Sequence, residues 1–272
     1  MSYELIIEPR RVERNYWGDL WRFRDLLLLL AYRDILVRYK QTVLGAAWTL
    51  IRPLLAMAVF VAFRRLTKIS TPGIPDPLVV YSAIIPWQFF STAVTEASGS
   101  LIGNANLVSK VYFPRILIPI SAILTTLVDV SITFILMALL MVFYGCGPGW
   151  NLLALPALMI LVTALSFGSG VLLAALNVEF RDFRYIVPFV VQFGFFVSPI
   201  AIQTAMIPDR WRLVYLLNPL AGIIDGFRWT LLGGRTSLDP AAIALATVET
   251  LSVLIAGIWY FRRTERGFAD II

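Results

Sequence analysis

Long apolar runs separated by short polar segments dominate the chain and set its predicted architecture. A helix that crosses the roughly 30 Å hydrocarbon core of a bilayer needs about 20 mostly apolar residues. Six runs meet this requirement, which predicts an all-α membrane protein that forms a single transmembrane domain over residues 1–272. The predicted spans cover about 45–63, 78–102, 116–144, 152–176, 186–204 and 241–261.

Two further apolar stretches are too short or too interrupted to span. Residues 15–40 place a burst of leucines between tryptophans and arginines, which is typical of an amphipathic helix lying in the membrane interface. Residues 205–235 are broken by Asn218-Pro219 and by Gly222 and Gly226. This pattern favours an outer re-entrant hairpin of two short helices between the fifth and sixth spans.

The basic residues predict the orientation. If the N-terminus is cytoplasmic, the inner segments carry fifteen Lys and Arg residues and the outer segments carry seven. Cytoplasmic loops are enriched in Lys and Arg, so both termini are expected in the cytoplasm. Arg64, Arg65 and Lys68 would lie outside and run against this trend.

Composition excludes most catalytic chemistry. Only 15% of the residues are charged, histidine is absent, and Cys146 is the single cysteine. A disulfide within the chain, a His/Cys zinc site and a histidine-dependent triad are therefore ruled out. No Gly-rich phosphate loop occurs either, so any ATP would be bound by another chain. The net charge of +6 fits basic flanks facing anionic lipid, without nucleic acid.

Arg52, Glu96 and Asp129 are ionisable residues that fall within the first three predicted spans. Arg52 precedes Pro53 in the first span and has two interpretations of equal weight, a residue facing a polar conduit or a snorkelling anchor. Glu96 and Asp129 lie in the second and third spans. Because a proton relay normally uses a chain of titratable groups, an interhelical hydrogen bond is the favoured role for both carboxyls.

An aromatic stripe follows one face of the fifth span. Tyr185, Phe189, Phe193 and Phe196 occupy positions i, i+4, i+8 and i+11. Such a stripe can face lipid, pack against neighbouring helices, or line a channel in which sugar rings stack on aromatic faces. The residues alone favour lipid exposure or packing over a channel lining, and Trp48 in the first span is a candidate for the same surface.

Several segments, in order along nearly the whole chain, resemble the membrane subunit of ATP-binding cassette (ABC) exporters for bacterial cell-surface polysaccharides. These are the O-antigen, capsule and teichoic acid permeases. The matching segments are RDILVRYKQTVLGAAW (33–48), RPL (52–54), PWQFF (86–90), GNANLV (103–108), KVYFPR (110–115), NVEFRD (177–182) and LNP (217–219).

The resemblance implies a homodimer in the bacterial inner membrane, with two copies of a separate ATPase that binds ATP and Mg on the cytoplasmic side. The substrate would be an undecaprenyl-linked polysaccharide that passes through a channel at the dimer interface. With this resemblance the aromatic stripe becomes a candidate channel lining. The implied channel residues are Trp48, Arg52, Tyr185, Phe189, Phe193 and Phe196.

The resemblance also places two further surfaces. The implied ATPase docking surface comprises Arg33, Arg38, Asn106, Lys110, Val111 and Tyr112. The hairpin resembles an outer gate, with Trp211, Asn218, Pro219, Phe227 and Trp229 as its residues.

Two alternatives stay open at this point. An ABC exporter for a small drug or lipid would share the six-span plan. A membrane enzyme, such as a lipid-linked glycosyltransferase, would need clustered acidic residues at a membrane boundary. Asp76, Glu179 and Asp182 are too scattered on the predicted topology to form such a cluster.

Overall fold

A computed structural model describes residues 16–40 and 45–271, and every regular element in these ranges is helical. The first residue of the predicted interfacial helix and residues 41–44 of the matching segments lie outside the described residues. The α-helices are α1 (Tyr16–Arg22), α2 (Arg24–Lys40), α3 (Gly45–Leu66), α4 (Asp76–Gly103), α5 (Ala105–Lys110), α6 (Leu117–Phe143), α7 (Leu155–Glu179), α8 (Phe183–Val197), α9 (Asp209–Leu216), α10 (Pro219–Leu231), α11 (Pro240–Thr264) and α12 (Phe268–Ile271).

Five of the helical segments in these ranges are long and apolar enough to cross a membrane. They cover Ala47–Leu66, Asp76–Gly103, Leu117–Phe143, Trp150–Glu179 and Pro240–Gly267. The remaining predicted span, 186–204, corresponds to α8, which is apolar but has only 15 residues. Ser198 ends it in an extended conformation, with φ of −81° and ψ of 152°, because the residue before a proline is biased away from the helical region.

Helix α4 forms the centre of the bundle. It contacts α3, α6, α7, α8 and α10, and most of its side chains are buried. The first half of α4 is apolar around nearly its whole circumference, as expected for a helix surrounded by others. Its second half exposes Thr95, Glu96 and Gly99 on one side.

Small residues bring α7 into close contact with two neighbours. A β-carbon on Gly257 of α11 would overlap the carbonyl of Gly168, and one on Gly170 would lie 2.8 Å from the Ala97 side chain of α4. Backbones at this separation gain dispersion contacts that larger residues would prevent. The glycines and serines near the middle of α7 therefore serve helix packing within the chain.

Helices α9 and α10 occupy the predicted hairpin. The Asn218 side chain accepts a hydrogen bond from the Leu220 amide at 3.1 Å and so caps α10, and Pro219 follows at the first helical position. Helix α10 packs against α4, α7 and α11, and it is largely buried. Gly233 and Gly234, both with positive φ, end the segment after α10.

Residues from both ends of the chain meet on one face of the bundle, called here the terminal face and formed by α1, α5 and α12. The Tyr16 hydroxyl donates to the Glu265 carboxylate at 3.0 Å, and the Arg115 amide donates to the same group at 2.7 Å. Phe261 and Phe268 pack edge to face in a core beneath them. The opposite face carries α9 and the turn from Thr67 to Pro75.

Candidate functional site

A polar cavity of about 270 Å³ lies between α2, α3, α4 and α6, and we call it the central cavity. Helix α4 contributes Gln88 and Thr92, and helix α6 contributes Thr126 and Thr133. The cavity reaches the middle of two membrane-length helices. Hydroxyl and amide groups at this depth provide hydrogen-bonding capacity that lipid tails lack.

Arg38 joins three helices at the wall of this cavity. Its guanidinium lies 2.7 Å from the Glu96 carboxylate of α4 and also donates to the Asp129 carboxylate of α6. The predicted interhelical role of the two carboxyls is therefore realised through an arginine from α2. Ionic groups inside a membrane are strongly favoured to pair, because an unpaired charge there is costly.

Tyr39 completes the network. Its hydroxyl donates to the other oxygen of Asp129. Burial, and in second place the hydrogen bond to Asp129, raise the pKa of Tyr39 to about 12. The phenol therefore keeps its proton throughout the physiological pH range and remains a hydrogen-bond donor to the carboxylate.

Two of the predicted channel residues meet at the same cavity. Trp48 and Arg52 lie one helical turn apart on α3, and the guanidinium carbon of Arg52 is 5.9 Å from the centroid of the Trp48 ring. Both side chains are exposed. Arg38, which the resemblance assigns to the docking surface, lines the cavity with them.

The aromatic stripe lies on the exposed side of α8. Tyr185, Phe189, Phe193 and Phe196 are between 61% and 81% exposed, and the rings of Phe189 and Phe193 are stacked with centroids 6.4 Å apart. In the single chain these rings do not contribute to the core. The stripe is therefore available to a substrate, a second chain or lipid.

The opposite side of α8 rests on α3 and α4. The Phe195 ring lies 5.3 Å from the Phe60 ring and 5.8 Å from the Trp87 ring, measured between centroids. Closer to the terminal face, a recess of about 260 Å³ separates α8 from α4 and α7. We call it the lateral recess. The exposed face of α4 lies between this recess and the central cavity, since Thr95 lines the former and Glu96 the latter.

Most of the predicted docking residues share the terminal face. Asn106, Lys110, Val111 and Tyr112 are exposed on α5 and the turn that follows it. Arg33 belongs to the same region because its guanidinium donates to the Asn104 side chain at 2.8 Å.

The predicted gate residues occupy very different environments. Trp211 is exposed on α9, with the Arg210 guanidinium over its ring. Phe227 is fully buried in α10, whereas Trp229 is half-buried. Asn218 and Pro219 form the start of α10.

Two buried arginines were not predicted. Arg64 has no exposed surface and pairs with Asp76 at 2.9 Å. Arg228 is 1% exposed and pairs with Asp225 at 2.6 Å. The Asp225–Arg228 pair has the i, i+3 spacing of helical ion pairs, which is a signal available in the sequence. The Arg64–Asp76 pair crosses a turn and offers no such local signal.

A family model described as "ABC-2 type transporter" matches residues 25–232, from α2 to the end of α10. The chain belongs to this family. Its match includes every element that builds the central cavity and the aromatic stripe. The protein is therefore a multi-pass membrane transport subunit.

Relatives extend the similarity to nearly the whole chain. The O-antigen export system permease protein RfbA of Myxococcus xanthus is 29% identical over 93% of this chain and 98% of its own length. The protein of the same name from Klebsiella pneumoniae is 28% identical over 91% of this chain and 95% of its own. The polysialic acid transport protein KpsM of Escherichia coli is 24% identical over 88% and 93%.

Proposed function

We propose that this chain is the membrane subunit of an ABC exporter that carries a lipid-linked polysaccharide of the O-antigen or capsule type across the bacterial inner membrane. The names of relatives that cover almost the entire chain support this substrate class. The observation that carries the proposal is the exposed aromatic stripe of α8, a helix that packs against α4, which in turn lines the polar central cavity. Sugar rings offer C–H faces for stacking and hydroxyls for hydrogen bonds, so such a pairing of surfaces suits a glycan chain.

A second copy of the chain would complete the pathway. The central cavity is open on one side, and the stripe is exposed in the single chain. A symmetric homodimer that joins these surfaces would enclose a channel lined by Trp48, Arg52 and the four aromatic residues of the stripe. In this arrangement α8 serves as the sixth span, and it is shielded from lipid by the partner copy.

We propose that the terminal face is cytoplasmic. Arg64 and Arg228 are two of the seven basic residues on the predicted outer segments, and both are buried in ion pairs. They add no free positive charge to the outer surface, so the excess of basic residues on the inner side is larger than the sequence count suggests. Arg65 and Lys68 stay exposed there. Fifteen basic residues on the predicted inner segments still outnumber them.

Energy would come from two copies of an ATPase bound at the terminal face, which would also hold ATP and Mg. Helix α2 provides a route for coupling, since Arg33 contacts Asn104, the residue before α5 at the proposed docking surface, and Arg38 lies at the central cavity. A shift of α2 on ATP binding would disturb both sites. ATP drives such a change only to the extent that it binds one conformation better than the other.

The hairpin would form the outer gate of the channel. Helix α9 is the candidate for the moving part because it is short and largely exposed. Helix α10 is held in the core, so residues such as Phe227 would support the gate without contacting the glycan.

Deletion of this chain in its host tests the function. We expect loss of the surface glycan together with accumulation of lipid-linked glycan on the cytoplasmic side, and restoration of both by the intact chain. Unchanged surface glycan would refute the proposal. Export of small dyes by the reconstituted transporter, with normal glycan in the deletion strain, would instead support a drug or lipid exporter. An ATPase should co-purify with the solubilised chain.

A further inference from the structure

The segment from Ser198 to Thr204, which connects α8 to α9, is held by side chains from other parts of the bundle, and we call it the anchored segment. The Asn218 amide donates to the Ser198 hydroxyl at 3.2 Å. Arg228 donates to the carbonyl of Pro199 at 2.6 Å and to that of Ile200 at 3.3 Å.

The second half of the anchored segment is held in the same way. Arg64 donates to the Ala201 carbonyl at 2.9 Å. Gln203 donates to the Thr71 hydroxyl at 3.1 Å, and the Thr204 amide donates to Asp225 at 3.3 Å. Six of the seven residues are therefore fixed to α3, to α10 with its cap, or to the turn before α4.

The other end of α8 is held differently. Pro188 lies inside the helix and has no amide hydrogen to donate to the carbonyl of Arg184, which weakens the helix at this point. Phe183, Arg184, Val187 and Pro188 border the lateral recess. The helix therefore has free space beside it on the terminal-face side of the proline.

We infer that Arg64 and Arg228 are positioning residues that fix one end of α8, so that the aromatic stripe changes its position only at its terminal-face end, with Pro188 as the hinge. The lateral recess receives the moving part, residues 183–187. This inference rests on the proposed function insofar as α8 lines the transport pathway. It adds which end of the lining moves and which residues prevent movement at the other end.

Arginine is suited to this role for a physical reason. A guanidinium has five donors in a rigid fork, so Arg64 can bind Asp76, Thr71 and the Ala201 carbonyl together. A buried guanidinium that loses its acceptors is strongly destabilised. Departure of the anchored segment would leave buried N–H groups of Arg64 and Arg228 without their carbonyl acceptors, which costs free energy. A lysine at position 64 could not make the same set of contacts.

Spin-label distance measurements on the purified chain in lipid nanodiscs test the inference. Cys146 is replaced by serine, and labelled chains are diluted with unlabelled ones so that only distances within one chain are recorded. One pair, Val197 and Leu153, reports the anchored end. The other pair, Tyr185 and Gly99, reports the hinged end. All four positions are exposed. We expect a narrow distribution for the first pair and a broad one for the second.

Variants then connect the narrow distribution to the anchor. Arg64→Gln and Arg64→Lys should each broaden the Val197–Leu153 distribution and leave the Tyr185–Gly99 distribution unchanged. Arg65→Gln, an exposed arginine at the next position, is the matched control and should change neither. If Arg64→Gln does not fold, the double variant Ser198→Ala with Gln203→Ala replaces it, because this variant removes two hydrogen bonds of the anchored segment and no charge. It should broaden the Val197–Leu153 distribution in the same way.

Three results would overturn the inference: equal widths at both ends of the parent chain, a narrow anchored-end distribution in every anchor variant, or equal broadening at both ends, which would indicate general loss of structure. The measurement needs neither glycan nor ATPase. A chain with the expected distances that fails to support glycan export in the host would refute the proposed function and leave the anchor in place.

Discussion

The side chain of Arg38, near the end of α2, pairs with Asp129, halfway along α6. Asp34 lies four residues earlier and approaches Ser121 at the start of α6, so α2 runs alongside the first half of that helix. This places a charged pair about 18 Å beyond the first residue of α6 at 1.5 Å per residue. The pair thereby connects the terminal face to the interior of the bundle.

Replacement of Asp129 should destabilise the protein more than replacement of Glu96. Asp129 bonds both Arg38 and Tyr39 and is 17% exposed, whereas Glu96 bonds Arg38 and is 49% exposed. We expect Asp129→Asn to cost about 1–3 kcal/mol, and Glu96→Gln less than about 1 kcal/mol. Thermal unfolding of the purified chain in detergent measures both.

A double-variant cycle isolates the ion pair. Arg38→Gln combined with Asp129→Asn should cost less than the sum of the single changes, since the second change removes a partner that is already lost. Additive costs would show that the two side chains do not interact.

Gly257→Ala should destabilise the contact between α7 and α11. The added methyl would overlap the Gly168 carbonyl, and backbone atoms cannot yield as a flexible side chain can. Overpacking of this kind costs about 1–3 kcal/mol. Gly99→Ala is the matched control, because a β-carbon there meets no atom within 4 Å. A similar fall in unfolding temperature for both variants would contradict the packing role.

Charge placed on the proposed docking surface should separate the ATPase from the permease. Val111→Glu alters an exposed side chain on the terminal face, and we expect loss of ATPase co-purification and of export at an unchanged unfolding temperature. Leu213→Glu makes the same change on an exposed apolar residue of α9 and should affect neither. Normal co-purification of the Val111 variant would remove this surface from the docking assignment.

Loss of two rings from the aromatic stripe should slow export without weakening the fold. Phe193→Ala with Phe196→Ala removes side chains that are 61% and 72% exposed. Aromatic pairs contribute about 0.5–1.5 kcal/mol each, and we expect a sugar ring stacked on a phenyl face to contribute a similar amount. Loss of two rings should therefore slow export by about five-fold or more. Ile135→Ala with Leu139→Ala, on the exposed side of α6, should leave export unchanged. Equal export by both variants would return the stripe to a packing role.

The sequence was sufficient for the features that depend on local pattern. Apolar length located the five membrane-length helices, and Asn218-Pro219 marked the start of α10. The pattern of the predicted re-entrant hairpin does not indicate, however, that α10 lies in the core of the bundle. Whether a helix is buried depends on which surfaces of the neighbouring helices remain uncovered. The residue pattern of a single segment does not show this.

Pairings between distant residues could not be derived from the sequence. Arg64 counted against the predicted orientation as a free charge, and its pairing with Asp76 became visible only when α3 and α4 were placed side by side. Arg38 was assigned to a surface through its neighbours in the matching segment, and the structure places it at the central cavity. Long side chains sample a wide radius, so the partner is selected by tertiary packing.

The shortness of α8 has a consequence for the free-energy barrier to translocation. Fifteen residues rise about 22 Å, roughly three quarters of the hydrocarbon thickness that a conventional span must cover. The non-helical anchored segment, together with headgroups or water, would fill the remaining depth wherever α8 borders the proposed pathway. A hydrophilic polymer moving along it would cross a thinner dehydrated zone than the bilayer itself presents.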